Sequence, residues 1–395
     1  MRFVLGNRIL TTVGGTEVHL LTLGRQLQRL GHEVCLYAPE LGAFADHAVR
    51  QGLDVRGNVR RLPEHCDVAF SQDGIVFYDL AARYPDAISV FRVCGDLFDF
   101  QTPPQLPAGI DLIVVLSDRY ERLARACAVD VPILRLRLPV DMDRLVPSGP
   151  LRARPEIAVL LGNYGNRNGL VADAWRSHGI EVRQVGGSNQ SFDIADALRD
   201  ADIVVAKSRA AVDAMACGRA VYVLDFLGGD GWVTPETYPA LEADHFAGQA
   251  IDRVIDARQL VADLGGYTSE MGAVNRDLAV QHHDARAHTV ALLNALSATK
   301  AGPRIDAPLA ELGRLTAMAW SWEEVARDYR ARVWAAHSQA ERARGDAARL
   351  RAELDAIRGS RSWRFVTTYA RARSRLARGP SSRSTPDPDR RSSSA

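Results

Sequence analysis

Short apolar runs alternate with amphipathic stretches along most of this chain, and the alternation stops once and then begins again. In the first series, runs suited to buried strands stand at residues 2–5, 33–38, 68–71, 88–93, 112–116 and 133–136. Between the first two, Leu20, Leu23, Leu27 and Leu30 fall on one face of a predicted helix over 16–30, and Gly31 follows where a left-handed residue ends a helix. Strands that alternate with helices pair in parallel, because each crossover returns the chain to the same end of the sheet. Residues 147–155, rich in Pro, Gly and Arg, read as a linker. The second series has strands at 157–161, 181–185, 203–206 and 220–225, with helices between them and three more from about 251 to 296. The predicted class is therefore α/β, with one domain over 1–146 and a second over 156–298. Two such open units in succession leave a cleft between them, where ligands of parallel sheets bind.

The remainder has a different period. Residues 299–308 read as a second linker, and 309–378 as a helical, coiled-coil tail. Within it Trp322, Ala326, Tyr329, Val333, Ala336, Ala340, Ala343, Ala347, Leu350, Leu354 and Ile357 follow alternating steps of four and three. That is a heptad seam, expected to meet its own copy or a partner helix, or to fold back on the body of the protein. In 360–378, Trp363, Phe365, Val366 and Tyr369 precede Arg371, Arg373, Arg375 and Arg378 with no acidic residue between. Such a segment is either the solvated end of the helix or a peripheral contact with anionic headgroups at the inner face of the cell membrane. The polar stretch 379–395 is expected to be disordered.

Composition excludes several classes. A formal net charge of +1 provides no field to attract nucleic acid. Five scattered cysteines, at 35, 66, 94, 127 and 217, form neither a disulfide framework nor a zinc spacing. No apolar run is long enough to span a bilayer, and Met1 leads straight into a strand, so a cytoplasmic location is expected. Asp141 and Asp143 make a D-x-D triplet, but in the segment leaving the first domain, a poor context for a metal. His282 and His283, being adjacent, point to different helix faces and do not make a metal pair. No metal or resident cofactor is expected.

The chemistry concentrates in 201–218, ADIVVAKSRAAVDAMACG. A buried strand ends at Ala206, a turn of Lys207, Ser208 and Arg209 follows, and a helix begins near Ala210. Lys207 is one of only two lysines, the other being Lys300. Cations at the carboxyl end of a parallel strand, beside free N–H groups of a helix start, suit a phosphate. Asp213, one turn on, is placed to reach a ribose hydroxyl. Asp96, closely following the strand at 88–93, is a candidate to orient an acceptor hydroxyl or to cap the next turn. The glycine-dense stretch 228–236, with Trp232, reads equally as a loop closing over a ligand or as a turn around a packed ring.

These segments resemble the family 4 glycosyltransferases of the GT-B fold. The resemblance covers residues 1–298: Gly14 and Gly15 with the helix after them, 138–141 leaving the first domain, Gly162 to Tyr164 opening the second, and above all 213–218 before the strand at 220. It implies two Rossmann-like domains facing a cleft, a nucleotide-diphosphate sugar as donor, a saccharide or lipid-linked acceptor, and retention of anomeric configuration without an obligatory metal. Carried onto this chain, Gly14 and Gly15 admit the donor diphosphate, Gly162 and Arg167 lie beside it, and Lys207, Arg209 and Asp213 hold the nucleotide. Lys207 and Arg209 would stabilise the departing diphosphate. One departure matters: where the family's paired-glutamate motif begins, eight residues before Asp213, stands Val205. A non-catalytic module binding a nucleotide sugar or an assembly partner, and a hexose-nucleotide epimerase, are the rival readings. A nicotinamide dehydrogenase is disfavoured, since no G-x-G-x-x-G follows the first strand.

Overall fold

The computed structural model describes residues 1–370 apart from 96–98, 105–108, 128–129, 163–165, 187–191, 226–227, 252, 254, 305–307, 362 and 364–366. The expectations for residues 371–395, and those on Phe365 and Val366, lie outside the described residues. The chain divides into two compact units, Met1–Trp320 and Ser321–Ala395.

The first unit opens with β1 (Arg2–Gly6), β2 (Ile9–Leu10), α1 (Gly15–Arg29), β3 (Glu33–Tyr37), β4 (Glu40–Leu41), α2 (Ala43–Arg50), β5 (Asp54–Arg56), β6 (Val68–Ser71), α3 (Gly74–Arg83), β7 (Ile88–Arg92), β8 (Leu112–Val115), α4 (Asp118–Ala126) and β9 (Ile133–Arg135). Seven strands form one parallel sheet in the order β5-β3-β1-β6-β7-β8-β9, while β2 and β4 pair separately. Period-two alternation divides β1 between the faces: Phe3 and Leu5 pack with α1 leucines, Val4 with Val76 and Leu80 of α3.

The second sheet uses β10 (Ile157–Leu161), β11 (Glu181–Val185), β12 (Ile203–Ala206), β13 (Ala220–Leu224) and β14 (Gly229–Trp232), in the order β11-β10-β12-β13-β14 with only β14 antiparallel. Its helices are α5 (Asn166–Arg176), α6 (Ile194–Leu198), α7 (Ser208–Ala216), α8 (Tyr238–Ala243), α9 (Ala257–Asp263) and α10 (Met271–His283). Residues 228–236 resolve the ambiguity of the glycine-dense stretch in favour of packing. Trp232 sits edge-on to Tyr222 at 5.1 Å and donates its indole N–H to the Asp263 carbonyl at 2.7 Å.

The segment at 147–155 is fastened down. Arg219 donates to the Gly149 carbonyl at 3.0 Å, and the buried Asp202 accepts from Arg152 and from the backbone N–H groups of Glu156 and Ile157. The passage between the sheets lies earlier, and it is doubled. At Val140 the outgoing chain runs beside Asp284 on the returning one: Val140 N–H donates to His283 O at 2.7 Å, and Ala285 N–H to Val140 O at 2.9 Å. Beyond this crossing α11 (Ala285–Ala298) packs with the first sheet, where Leu292 and Leu296 join the Phe3 and Leu5 core. The last part of the domain drawn from sequence at 156–298 therefore belongs to the N-terminal core, because its leucine face is complementary to α1. In the linker expected at 299–308, Gly302 and Arg304 are likewise tied down, with Asp111 accepting from Gly302 N–H at 2.7 Å and from Arg304 at 3.1 Å.

The last helix, α12 (Leu309–Gly359), is continuous over 51 residues. Its first turns belong to the first unit: Trp320 meets Phe100 edge-on at 4.4 Å, and the Arg8 guanidinium lies 4.2 Å above the indole. No helix among the described residues is long and apolar enough to cross a membrane.

His283 fastens the crossing. Its Nδ1 lies 2.8 Å from the Leu138 carbonyl and its Nε2 3.0 Å from the Tyr238 hydroxyl. Burial pushes the ring down to about 3. Since its unfolded value is near 6.5, the stability this neutral ring supports is complete above that pH. It is lost at about 1.4 kcal/mol per pH unit as pH falls toward the folded value. His283→Asn should be less stable at neutral pH yet lose about 2 kcal/mol less than the native chain between roughly pH 7 and 5 in urea unfolding. Parallel pH profiles would show that the ring is already charged in the fold.

Candidate functional site

The two sheets face each other across a cleft, and a cavity of about 320 Å³ opens there. Five of the sequence candidates line it: Gly14, Gly15, Gly162, Arg209 and Asp213. The first two come from the start of α1, Gly162 from the end of β10, and the last two from α7. Both helices direct their N-termini to this junction, and neither N-cap residue, Gly14 or Lys207, supplies a side-chain hydrogen bond to the first turn. By contrast α3, α4, α9 and α11 are capped by Asp73, Ser117, Asp256 and Asp284.

At Gly15 the two domains are in contact: a Cβ there would lie 3.8 Å from Cβ of Arg209. The Arg209 guanidinium is buried in the wall between the sheets. Its Nε donates to Asp213 Oδ1 at 2.8 Å, one helical turn on, and Nη2 donates to Thr22 Oγ1 of α1 at 3.3 Å. Its Nη1 is buried with no hydrogen-bond partner among the described residues. Burial raises the Asp213 carboxyl above the usual carboxylate range, and the Arg209 charge acts against that rise.

Lys207 takes a different direction. Its ammonium pairs with the buried Asp225 just beyond β13, and it is not among the residues lining the cavity. Ser208, between the two cations, has φ of +48°, a left-handed conformation that favours glycine, and its N–H donates to the Phe246 carbonyl at 2.9 Å. Phe246 and the adjacent His245 are left-handed too, at +51° and +65°. The strand-to-helix turn is thus held in an uncommon backbone by a second uncommon turn. Arg167 falls in the first turn of α5, and its side chain lies outside the described residues, as does Asp96. Val205 is buried in the apolar cluster with Leu160, Ile203 and Tyr222, so a glutamate at this position would enter the core below the sheet.

The structure adds residues for which the sequence carried no signal. Phe192 stacks on His47 of α2 at 4.9 Å, making one apolar wall, and Arg144, also on the cavity, donates to the Phe192 carbonyl at 2.6 Å. These groups are far apart in sequence and meet only through the fold. Asp141 of the D-x-D triplet lies on the same cavity and pairs with Arg29 at 3.3 Å, and Asp143 lies 3.6 Å from that guanidinium. Arg92, buried at the end of β7, donates to Gln72 and leaves its Nε without a partner among the described residues. Burial, reinforced by the charge of Arg209, pushes Arg92 down to about 10. Burial first, then Arg92 and Arg209, hold His19 far below its usual value, and burial with Arg92 and Arg119 sets His245 at about 3. Both imidazoles are therefore neutral, and the charge here resides on two buried guanidinium groups.

Among solved structures, the chain is similar to Anabaena HepE, determined in complex with UDP-glucose, at 12% identity and a TM-score of 0.56, over 75% of this chain and 100% of that one. In the HepE complex with UDP and glucose the values are 11%, 0.54, 75% and 99%. An alpha-glucosyltransferase in complex with UDP and DNA aligns at 12% identity and a TM-score of 0.50, over 75% of this chain and 99% of that one. No protein-family model matches the sequence, and no curated protein matches it. At these identities the likeness is one of fold: the first unit has the GT-B architecture, two Rossmann-like domains facing a cleft.

The Arg209–Asp213 pair makes an asymmetric prediction. Removing the carboxylate strands a buried guanidinium that cannot lose its proton, whereas removing Arg209 leaves a carboxyl already inclined to take one up. Asp213→Ala should cost about 3–5 kcal/mol in denaturant unfolding, and Arg209→Met clearly less. The reverse order would mean that the pair does not stabilise the fold in the manner described.

Proposed function

We propose that this chain is a glycosyltransferase that moves a sugar from a nucleotide-diphosphate donor to a saccharide or lipid-linked acceptor, with retention of configuration and without an obligatory metal. The observation that carries this reading is the Arg209 guanidinium: buried on the cavity wall, oriented by Asp213, and with Nη1 unpartnered at the N-terminal turn of α7. A buried donor of this kind calls for an anion, and a diphosphate supplies one. The N-terminus of α7, which has no side-chain cap, turns its positive end to the same anion, whereas the first turn of α1 already carries the buried Glu17 carboxylate. The fold agrees, since HepE is recorded with UDP-glucose in the corresponding architecture.

In this reading Gly14 and Gly15 leave room for the diphosphate, and Gly162 and Arg167 flank it. Asp213 accepts from a ribose hydroxyl, while Lys207 adds a second cation at the helix start. Asp96 is the candidate to orient the acceptor hydroxyl. As the bond from the anomeric carbon to the diphosphate oxygen breaks, negative charge grows on the leaving group, and Arg209 stabilises it more strongly than in the ground state. The acceptor oxygen attacks from the face that the diphosphate leaves. Its proton passes to the departing phosphate oxygen, so no side-chain nucleophile is required. The rest of catalysis is positioning.

Calorimetry with UDP, GDP and dTDP tests the binding step. One of them should bind, and Arg209→Met should weaken it by about 1.5–3 kcal/mol, the range for charge-assisted hydrogen bonds. Lys207→Ala should cost less, since Asp225 already engages its ammonium. Unaltered affinity in Arg209→Met would remove the guanidinium from the site. Tight binding without transfer or hydrolysis of any cognate nucleotide sugar would favour the binding-module reading instead.

A further inference from the structure

We propose that residues 322–357 form a parallel, in-register, two-stranded coiled coil with a second copy of this chain. The observations are a continuous helix through the whole segment and an apolar seam whose large side chains, among the described residues, are exposed. Tyr329, Val333, Leu350, Leu354 and Ile357 are all exposed on it. Monomeric soluble proteins seldom leave a helical stripe of this length uncovered.

The charges choose the occupant. With Trp322 and Tyr329 at d, and Val333 and Leu354 at a, the e positions carry Glu323, Arg330, His337, Arg344, Arg351 and Arg358. The g positions carry Val325, Arg332, Gln339, Asp346 and Glu353. In a parallel pair each g position faces the e position five residues later on the other helix. Asp346 then faces Arg351 and Glu353 faces Arg358, twice over by symmetry, and no two formally like charges meet with histidine neutral. In an antiparallel pair e faces e and g faces g, which sets Arg330 against Arg351 even as Glu323 meets Arg358 and Arg332 meets Glu353. The parallel, in-register pairing is thus the one that combines opposite-charge contacts with no like-charge contact.

The seam also explains its own composition. Layers at 336, 340, 343 and 347 are all alanine, so two helices approach closely there, while large apolar layers close both ends. Alanine layers bury little area, so the pairing is reversible and concentration-dependent. Its specificity comes from the flanking charges more than from the core.

The test uses the full chain. Light scattering across a concentration series should show a monomer–dimer equilibrium. Glu353→Arg alone and Arg358→Glu alone should each weaken the dimer roughly tenfold, by turning two attractive contacts into repulsive ones. The double variant should recover it, because these two positions face each other only in the parallel register. Leu350→Cys should form a disulfide between copies under mild oxidation. A chain that stays monomeric throughout overturns the proposal, as does a dimer in which the double variant fails to recover and Leu350→Cys fails to cross-link. The thermal midpoint of each variant, expected to be unchanged, shows that the substitutions leave the first unit folded.

Discussion

A guanidinium buried between two sheets sets the terms for the rest of this architecture. Arg209 cannot discharge itself by losing a proton, so the fold must surround it with acceptors. One comes from its own helix, Asp213, and one from the opposite domain, Thr22. The arrangement depends on the doubly wound topology. A parallel strand must end near Ala206, and a helix must start at once, for the side chain to be delivered to the wall of the cleft. The left-handed Ser208 makes that abrupt change of direction possible, and the carbonyl of Phe246 holds it there. Backbone strain, buried charge and the meeting of the domains coincide within three residues. That is the expected cost of organising a site before its ligand arrives.

Helix capping tells the same story from another side. At α3, α4, α9 and α11 Asp or Ser occupies the cap and satisfies the first N–H groups, while α2, α8 and α10 start without a side-chain cap. At the two starts that meet on the cleft, the caps are a glycine and a lysine. Neither contributes an acceptor; the first turn of α1 carries the buried Glu17 carboxylate, and it is the start of α7 that is left open to an anion. Burial of Arg92 nearby acts in the same direction, because it adds a second guanidinium and both imidazoles between the domains stay neutral.

Much of this was legible in the sequence because the signals were local. Period-two runs located the buried strands, and the turn after Ala206 marked the strand–helix junction that carries Arg209 and Asp213. Tertiary features were not legible. The amphipathic stretch 285–298 carries no sign of which sheet it will cover, and its leucines were assigned to the nearer domain when they complete the farther one. Lys207 and Arg209, two residues apart, read as one cationic cluster. The carboxylate of Asp225, eighteen residues on, draws one of them away. Phe192 and His47 could not be paired from sequence, because neither is informative without the other. The short edge strand β5 escaped for lack of apolar character, since exposed edges do not need it, and β14 escaped because its buried Gly-Asp-Gly run carries no apolar alternation.

The doubled crossing at Val140 and Asp284 has a mechanical meaning. The chain passes between the domains twice, and the two passages are laced to each other by backbone hydrogen bonds. The stretch that follows, 147–155, is bolted to the second sheet by Arg219 and Asp202 and gives no slack. Two bodies connected by one narrow ribbon behave like a book on its spine. Turning about the ribbon alters few dihedral angles, whereas sliding along it would shear the lacing. The degree of freedom left to the cleft is a swing whose pivot lies at Val140 and Asp284, beside the cavity wall that Asp141 and Arg144 share with the starts of α1 and α7.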